Sequence, residues 1–170
     1  MKKLILFFGL MMMVSMTSMA QKYAYINSNE ILNAIPEYKA AQKELDDLSE
    51  KWQKEIEAMN QEIEKKDKAY QEEKILLPEE TRKQRETEIA QLLRKVRDFQ
   101  KAKYSPNGEL YKKREELIKP IQDKMYKAVK SIAKAKNYAF VFDKGSQNNI
   151  VYADTKYDIS DDVLKKLGVQ

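Results

Sequence analysis

The side chains that most often carry chemistry in proteins are missing from this chain. Its 170 residues include no cysteine and no histidine, which removes thiolate nucleophiles, imidazole bases and the usual ligands of zinc, copper and haem. With only four glycines, no glycine-rich loop is present that could cradle a nucleotide phosphate. We therefore expect a protein that is not an enzyme, with no cofactor and no need for ATP.

Carboxylates are abundant, but their spacing does not suit a metal ion. Glu44, Asp46 and Asp47 lie in a stretch without glycine, whereas a calcium loop places its ligands at alternate positions around a glycine turn. These acids are typical of a solvated helix face, and we expect no metal site.

Basic and apolar side chains near the middle of the sequence form the first candidate contact surface. Residues 65–103 carry 12 basic and 8 acidic side chains, a net charge of +4. Such cations could bind anionic lipid headgroups, lipopolysaccharide or acidic peptide segments, and an exposed apolar trio could grip unfolded chains. An ordinary solvated helix face, with the trio sealing a bend internally, is the alternative. The tip surface consists of Lys74, Ile75, Leu76, Leu77, Arg82, Lys83 and Arg85.

A second candidate surface is aromatic. Residues 23–26, 138–143 and 150–153 are rich in tyrosine, phenylalanine and β-branched side chains, a composition that predicts three short strands. Three strands and one short helix are too few to be stable alone, so we expect strands from several subunits to join in one body. The residues predicted for this oligomer body are Tyr23, Tyr25, Ile26, Phe140, Phe142 and Val151.

Long helices connect these strands. Asn27 and Glu30 have the spacing of a capping box, and apolar residues then recur at steps of three and four as far as Leu77. Pro78 predicts the start of a returning helix, which continues to residue 136 and contains Pro120 as a potential kink. Asp158 or Ser160 is the expected cap of a last helix ending near Gly168. The apolar stripe of the outgoing helix is Ala41, Leu45, Leu48, Trp52, Ile56, Met59, Ile63, Tyr70 and Leu77.

A bend near 77–78 makes the two long helices antiparallel and places residue i opposite residue 155 − i. Residues 28–64 carry a net charge of −6 and residues 104–136 a net charge of +5, so the facing segments are complementary. The returning segment is nine residues longer, and the turn formers of residues 105–108 are the expected place for the excess. Pro106 and Gly108 could make this turn a hinge, or the turn could be a bulge that only absorbs the extra length.

The first twenty residues predict a cleaved export signal. Lys2 and Lys3 precede an apolar run that is too short to span a bilayer, and a small-residue cleavage site ends at Ala20. The remaining residues 21–170 form one α+β domain. Residues 21–27 and 137–170 make up the small β-sheet body, and residues 28–136 form the antiparallel coiled-coil hairpin.

The order of these segments resembles the Skp/OmpH family of periplasmic chaperones. The resemblance rests on YAYINSNEILNAIPEYKAAQKEL (23–45), KPIQDKMYKAVKSIAKAKNYAFVFD (119–143) and VYADTKYDISDDVLKKL (151–167). It implies a homotrimer with a barrel-like body shared between subunits and three helical hairpins around a cavity. Its implied partners are unfolded outer-membrane proteins, held soluble in the periplasm. The interruption at 105–108 departs from the simple hairpin of the family, and a lipopolysaccharide site cannot be matched residue by residue.

Two other functions remain as alternatives. A structural envelope scaffold would bind one fixed partner through specific exposed residues of the hairpin. Nucleic-acid binding through the basic segment is disfavoured, because the excess charge is small and interleaved with acids.

Overall fold

The computed structural model describes residues 21–146 and 150–169; the predicted export signal, residues 1–20, lies outside them. The predicted α+β class, with a long helical hairpin and a small sheet, is confirmed. Its elements are β1 (Lys22–Ile26), α1 (Ser28–Ala34), α2 (Pro36–Glu73), α3 (Glu79–Tyr104), α4 (Glu109–Lys136), β2 (Tyr138–Asp143), a 3-10 turn (Thr155–Tyr157) and α5 (Ser160–Leu167).

The described residues divide into two compact units. The body unit contains residues 21–31, 126–146 and 150–169, and the hairpin unit contains Leu32–Met125. The boundaries differ from the predicted ones, because residues 28–31 and the last eleven residues of α4 belong to the body unit.

In the body unit, β1 and β2 are parallel neighbours although the helices separate them in sequence. Tyr23 lies opposite Phe140 and Tyr25 opposite Phe142. The predicted third strand, 150–153, is wrong, since these residues have no regular secondary structure. The reason is that a later segment takes the other edge of β1: Tyr25 forms a bridge with Asp158, and the Ile159 N–H donates to the Tyr25 carbonyl at 3.0 Å.

The helix ends follow the predicted capping chemistry with small differences. Asn27 Oδ1 accepts from the Glu30 N–H at 3.4 Å, which is one half of the predicted capping box, but the Asn27 N–H donates to Ser160 Oγ at 2.9 Å instead of to the Glu30 side chain. The N-cap position of α5 is held by Ile159 and not by Asp158 or Ser160; Asp158, one residue earlier, accepts the Ser160 N–H at 2.8 Å. Gly168 ends α5 with φ of +75°, in the left-handed region that suits glycine. Pro78 precedes α3 instead of occupying its first position.

In the hairpin unit, α2 and α3 pack against each other along the predicted stripe. Trp52, Ile56, Ile63 and Tyr70 are all buried. Lys66 Nζ forms an ion pair with Glu88 Oε1 at 2.6 Å, and the Tyr70 hydroxyl donates to the Glu86 carboxylate. Both pairs match the predicted facing rule within one residue. Hydrogen bonding to Lys66, followed by its charge, lowers the pKa of Glu88.

The facing rule changes beyond residues 105–108. Ala41 and Leu45 form a buried cluster with Ile118, and their residue numbers sum to 159 and 163, compared with 152 and 159 for Ile56 and Ile63 with Val96 on the bend side. The short loop between α3 and α4 therefore absorbs at least four residues of the returning chain. This agrees with the unequal lengths of the outgoing and returning segments.

Candidate functional site

The bend of the hairpin exposes two large aliphatic side chains. Helix α2 ends at Glu73, whose carbonyl accepts the Leu76 N–H at 2.8 Å. Ile75 is 95% exposed and Leu76 is 87% exposed, whereas Leu77 is half-buried. Only Leu77 is thus in a position to seal the bend. Ile75 and Leu76 face solvent and are free to contact another molecule.

Exposed cations and exposed glutamates (Glu72, Glu73, Glu79 and Glu80) both lie close in sequence to this pair. Lys74, Lys83 and Arg85 are exposed, and none of them forms an ion pair within the described residues. Arg82 is half-buried, and its Nε atom is buried without a hydrogen-bond partner among those same residues. The tip surface therefore combines apolar side chains with cations that form no ion pair within residues 21–146 and 150–169.

Tyr70 anchors the bend from the inside. It is 4% exposed, its hydroxyl donates to Glu86, and Lys74 Nζ lies 5.4 Å from the centre of its ring. The hydrogen bond to Glu86, together with burial, raises the pKa of the Tyr70 hydroxyl. These contacts hold the two helix ends together while the tip side chains remain exposed.

The aromatic residues of the sheet form a second exposed surface. Tyr23 stacks on Phe140 with ring centres 6.0 Å apart, and Phe140 stacks on Phe142 at 6.3 Å. All three are about half exposed, between 45% and 57%. Tyr23, Phe140 and Phe142 are called the aromatic face below. Among the other predicted body residues, Tyr25 and Ile26 are buried within the chain, and Val151 is fully exposed outside any strand.

An open cavity of about 620 Å³ borders the aromatic face. Its walls are Tyr23, Tyr25 and Phe142 on the sheet side and residues 150–154 and Tyr157 on the other. Its surface is mostly apolar, and it contains no group with an obvious catalytic partner. The cavity can receive an apolar side chain or a short extended segment.

Sequence reasoning missed a polar hub at the end of β2. Asp143 Oδ1 accepts the Ser28 N–H at 3.1 Å and the Gly145 N–H at 2.9 Å, and Asn29 donates to the Gly145 carbonyl. Partial burial would raise the pKa of Asp143, but hydrogen bonds from Ser28, Ser146 and Gly145 outweigh it and lower the pKa. The only sequence signal was the Asp143 to Ser146 run of turn-forming residues.

The hub should contribute stability that depends on pH. Because the pKa of Asp143 is lowered in the folded state, its contribution is complete above the ordinary value of 3.8 and is lost as pH falls through the lowered pKa. Asp143→Asn should destabilise the protein by about 1–2 kcal/mol at pH 7, as measured by urea unfolding. The difference from the unmodified protein should shrink below pH 3.8; an equal difference at pH 7 and pH 3 would contradict the assignment.

The predicted hinge residues lie in a tight turn. The Gly108 N–H donates to the Ser105 carbonyl at 2.7 Å, and the Ser105 N–H donates to the Lys101 carbonyl at 3.2 Å. A Cβ atom on Gly108 would lie 2.8 Å from the Lys103 carbonyl oxygen, so only glycine fits this close approach. Pro106 and Asn107 are exposed.

No helix within residues 21–146 and 150–169 is long and apolar enough to cross a membrane. The same part of the chain contains no cluster of acidic side chains arranged to hold a metal ion.

Comparisons with known proteins identify the family. A model of the family described as "Outer membrane protein (OmpH-like)" matches residues 22–167. An uncharacterised protein of Aquifex aeolicus (strain VF5) is 34% identical over 161 residues, which cover 95% of this chain and 94% of that protein. A crystal structure of a candidate OmpH-like outer membrane chaperone from Caulobacter crescentus CB15 has a TM-score of 0.66 at 12% identity. That match covers 89% of this chain and 86% of the other, and it supports the fold. The chain thus belongs to the OmpH-like outer membrane protein family.

Proposed function

We propose that this protein is an ATP-independent holdase chaperone of the periplasm that binds unfolded outer-membrane proteins and keeps them from aggregating. The observation that carries the proposal is the tip surface, where Ile75 and Leu76 are almost fully exposed beside unpaired cations. Exposed aliphatic groups of this kind bind apolar segments of many sequences, because the hydrophobic effect is not directional. Family membership supports the same class of function.

The proposed mechanism is avidity within a homotrimer. Each hairpin offers weak apolar and electrostatic contacts, and three hairpins around one client convert these into intramolecular binding events. The aromatic face and the adjoining cavity are the surfaces through which we propose that the subunits join. Release requires no nucleotide, since each contact is weak enough to break on its own.

The charge pattern supports an electrostatic share in client binding. Within the described residues, Lys66–Glu88 is the only ion pair that joins α2 to α3, although α2 is rich in acids and α3 in bases. Most of these charges are therefore available to a client or to solvent. Client protection should weaken gradually as salt rises, because screening shortens the reach of exposed charges to about 8 Å at 0.15 M.

Removing the aliphatic pair at the tip should weaken client holding. A urea-unfolded outer-membrane barrel protein is diluted into buffer with the chaperone, residues 21–170, and aggregation is followed by light scattering. We expect Ile75→Ser with Leu76→Ser to raise the concentration needed for half-suppression roughly tenfold, because apolar contact area is lost from every hairpin.

Leu93→Ser is the matched control, since Leu93 is a 46% exposed aliphatic side chain of α3 away from the bend. It should leave suppression within about twofold of the unmodified protein. Undiminished scattering with excess unmodified protein would overturn the holdase proposal. A single stoichiometric partner in a pull-down would then favour the scaffold.

The cations of the tip surface extend the proposal to anionic lipid or lipopolysaccharide. Unpaired Lys74, Lys83 and Arg85 side chains would each contribute about 1 kcal/mol near an anionic membrane surface. Co-sedimentation with vesicles of phosphatidylglycerol, but not of phosphatidylcholine, would support this partner.

A further inference from the structure

Residues 105–108 interrupt the returning helix without rotating its apolar side away from α2. Four residues are close to one helical turn of 3.6 residues, so adding or removing them changes which residues face each other but keeps the stripe in phase. On the bend side of the interruption the facing residue numbers sum to about 155, as in Trp52 against Tyr104. On the other side Ala41 and Leu45 meet Ile118.

The interruption separates two hydrophobic clusters of the hairpin unit. One cluster is centred on Ile56, Ile63 and Val96, and the other on Ala41, Leu45 and Ile118. Each cluster is built from its own residues on both helices. The boundary between them is occupied by Trp52 and the end of α3.

The Lys103 side chain contacts residues on both sides of this boundary. Its Nζ atom lies 4.8 Å from the centre of the Trp52 ring and 5.5 Å from that of Phe99, and it forms an ion pair with Glu109. The ion pair joins the last turn of α3 to the first turn of α4 across the loop. Only 21% of the Lys103 side chain is exposed, so these contacts are partly shielded from water and stronger than those of a free surface lysine.

Further contacts join α2 to the end of α3 at this boundary. The Trp52 and Tyr104 rings meet edge to face at 5.9 Å, and the Tyr104 hydroxyl donates to the Ser49 carbonyl at 3.0 Å. Pro106 disfavours helix across the loop, because proline has no N–H and its ring clashes with the carbonyl four residues earlier, although α4 accommodates Pro120 in its interior. The loop is therefore favoured by sequence and held closed by side chains from both helices.

We propose that residues 105–108 are a latched joint: one turn of the returning helix is looped out, and Lys103 latches the loop by bridging Trp52 and Glu109. With the latch closed, the two clusters behave as one hairpin. When the Lys103 contacts with Trp52 and Glu109 are broken, the hairpin bends at residues 105–108 while each cluster stays packed. This inference goes beyond the proposed function and does not depend on it, since it concerns the hairpin of the free protein.

The first variant, Lys103→Met, replaces the lysine with an uncharged, apolar side chain of similar length. We expect amide hydrogen exchange in residues 99–112 to accelerate about tenfold, because local opening governs exchange there. Exchange at Ile63 and at Ile118, inside the two clusters, should stay within twofold. Trp52 is the only tryptophan, so its emission should shift to longer wavelength as the ring gains water.

Lys101→Met is the matched control, because Lys101 belongs to the same turn of α3, is exposed and forms no ion pair within the described residues. It should leave both exchange and emission unchanged. If Lys103→Met behaves like Lys101→Met, the latch is disproved. Faster exchange that spreads equally through both clusters would also overturn the joint.

Deleting residues 105–108 tests the looped-out turn itself. The deletion should join α3 to α4 in phase, lower the facing sum beyond the loop by four, into the range of the bend side, and slow exchange in the remaining residues of 99–112 about tenfold. Adding Lys103→Met to the deletion should then change exchange less than twofold, because no loop remains to be latched. An unfolded or less helical deletion variant would refute the one-turn insertion. No readout uses a client, so these results stand apart from the holdase test.

Discussion

In the proposed trimer, replacing Phe140 and Phe142 with serine should produce monomers and abolish client protection. Both rings are about half exposed in the subunit and stack with Tyr23, so they offer a preformed aromatic surface at low entropic cost. Aromatic anchors at the centre of an interface typically contribute about 2 kcal/mol each. Losing both should therefore weaken association roughly a thousandfold, which sedimentation velocity would show as a change in mass.

The matched control for this double variant is Tyr126→Ser. Tyr126 is 52% exposed, similar to the two phenylalanines, but it lies on α4 and not on the aromatic face. Its replacement should leave the mass of the oligomer unchanged. A double variant that remains fully oligomeric would contradict the proposed interface, and circular dichroism at the monomer concentration verifies that the helices persist.

The double variant also separates two parts of the proposed function. If monomers with an intact tip surface still suppressed aggregation at the same subunit concentration, the avidity mechanism would be wrong even though the holdase activity stood. If suppression disappeared with the oligomer, several hairpins acting together would be necessary. The aromatic face and the tip surface would then have distinct roles, one in assembly and one in client contact.

Periodicity made the hairpin predictable. Trp52, Ile56 and Ile63 recur at helical steps, and burial along one side of α2 follows from that spacing alone. The turn formers of residues 105–108 likewise indicated where the extra length of the returning segment could be absorbed. Both inferences depend only on local sequence and on the geometry of an α-helix.

Contacts between distant residues were not predictable in the same way. Asp143 and Ser28 are 115 positions apart, and no periodic pattern connects them. The prediction of a third strand was wrong for a related reason. Residues 150–153 have a strand-like composition, but Asp158 and Ile159 occupy the edge of β1. Composition indicates what a segment could form, whereas the available edge decides whether it pairs.

The exposure of the tip residues also could not be predicted from the sequence. Ile75, Leu76 and Leu77 have equivalent apolar character in the sequence, yet only Leu77 is half-buried. The difference arises because the turn after Glu73 fixes the direction of each side chain. Sequence alone therefore left open whether the trio seals the bend or faces outward.

Replacing Trp52 with alanine should have the largest effect on the stability of the hairpin. The ring is 4% exposed, packs against Tyr104 and lies under the Lys103 ammonium. Deleting a buried aromatic side chain of this size typically costs about 3–5 kcal/mol, because apolar contact is lost and a cavity remains. Urea unfolding followed at 222 nm should show the loss directly, since the signal is dominated by the long helices.

Trp52→Phe distinguishes loss of packing from loss of the joint. Phenylalanine retains an aromatic face for Lys103 and most of the apolar volume, so it should cost less than about 1.5 kcal/mol. Trp52→Ala should also accelerate amide exchange on both sides of residues 105–108, because the ring lies where the two clusters meet. If Trp52→Ala lowers the free energy of unfolding by less than 1 kcal/mol, the packing at this boundary is already open in the unmodified protein. The hairpin would then be two independent segments with no latch between them.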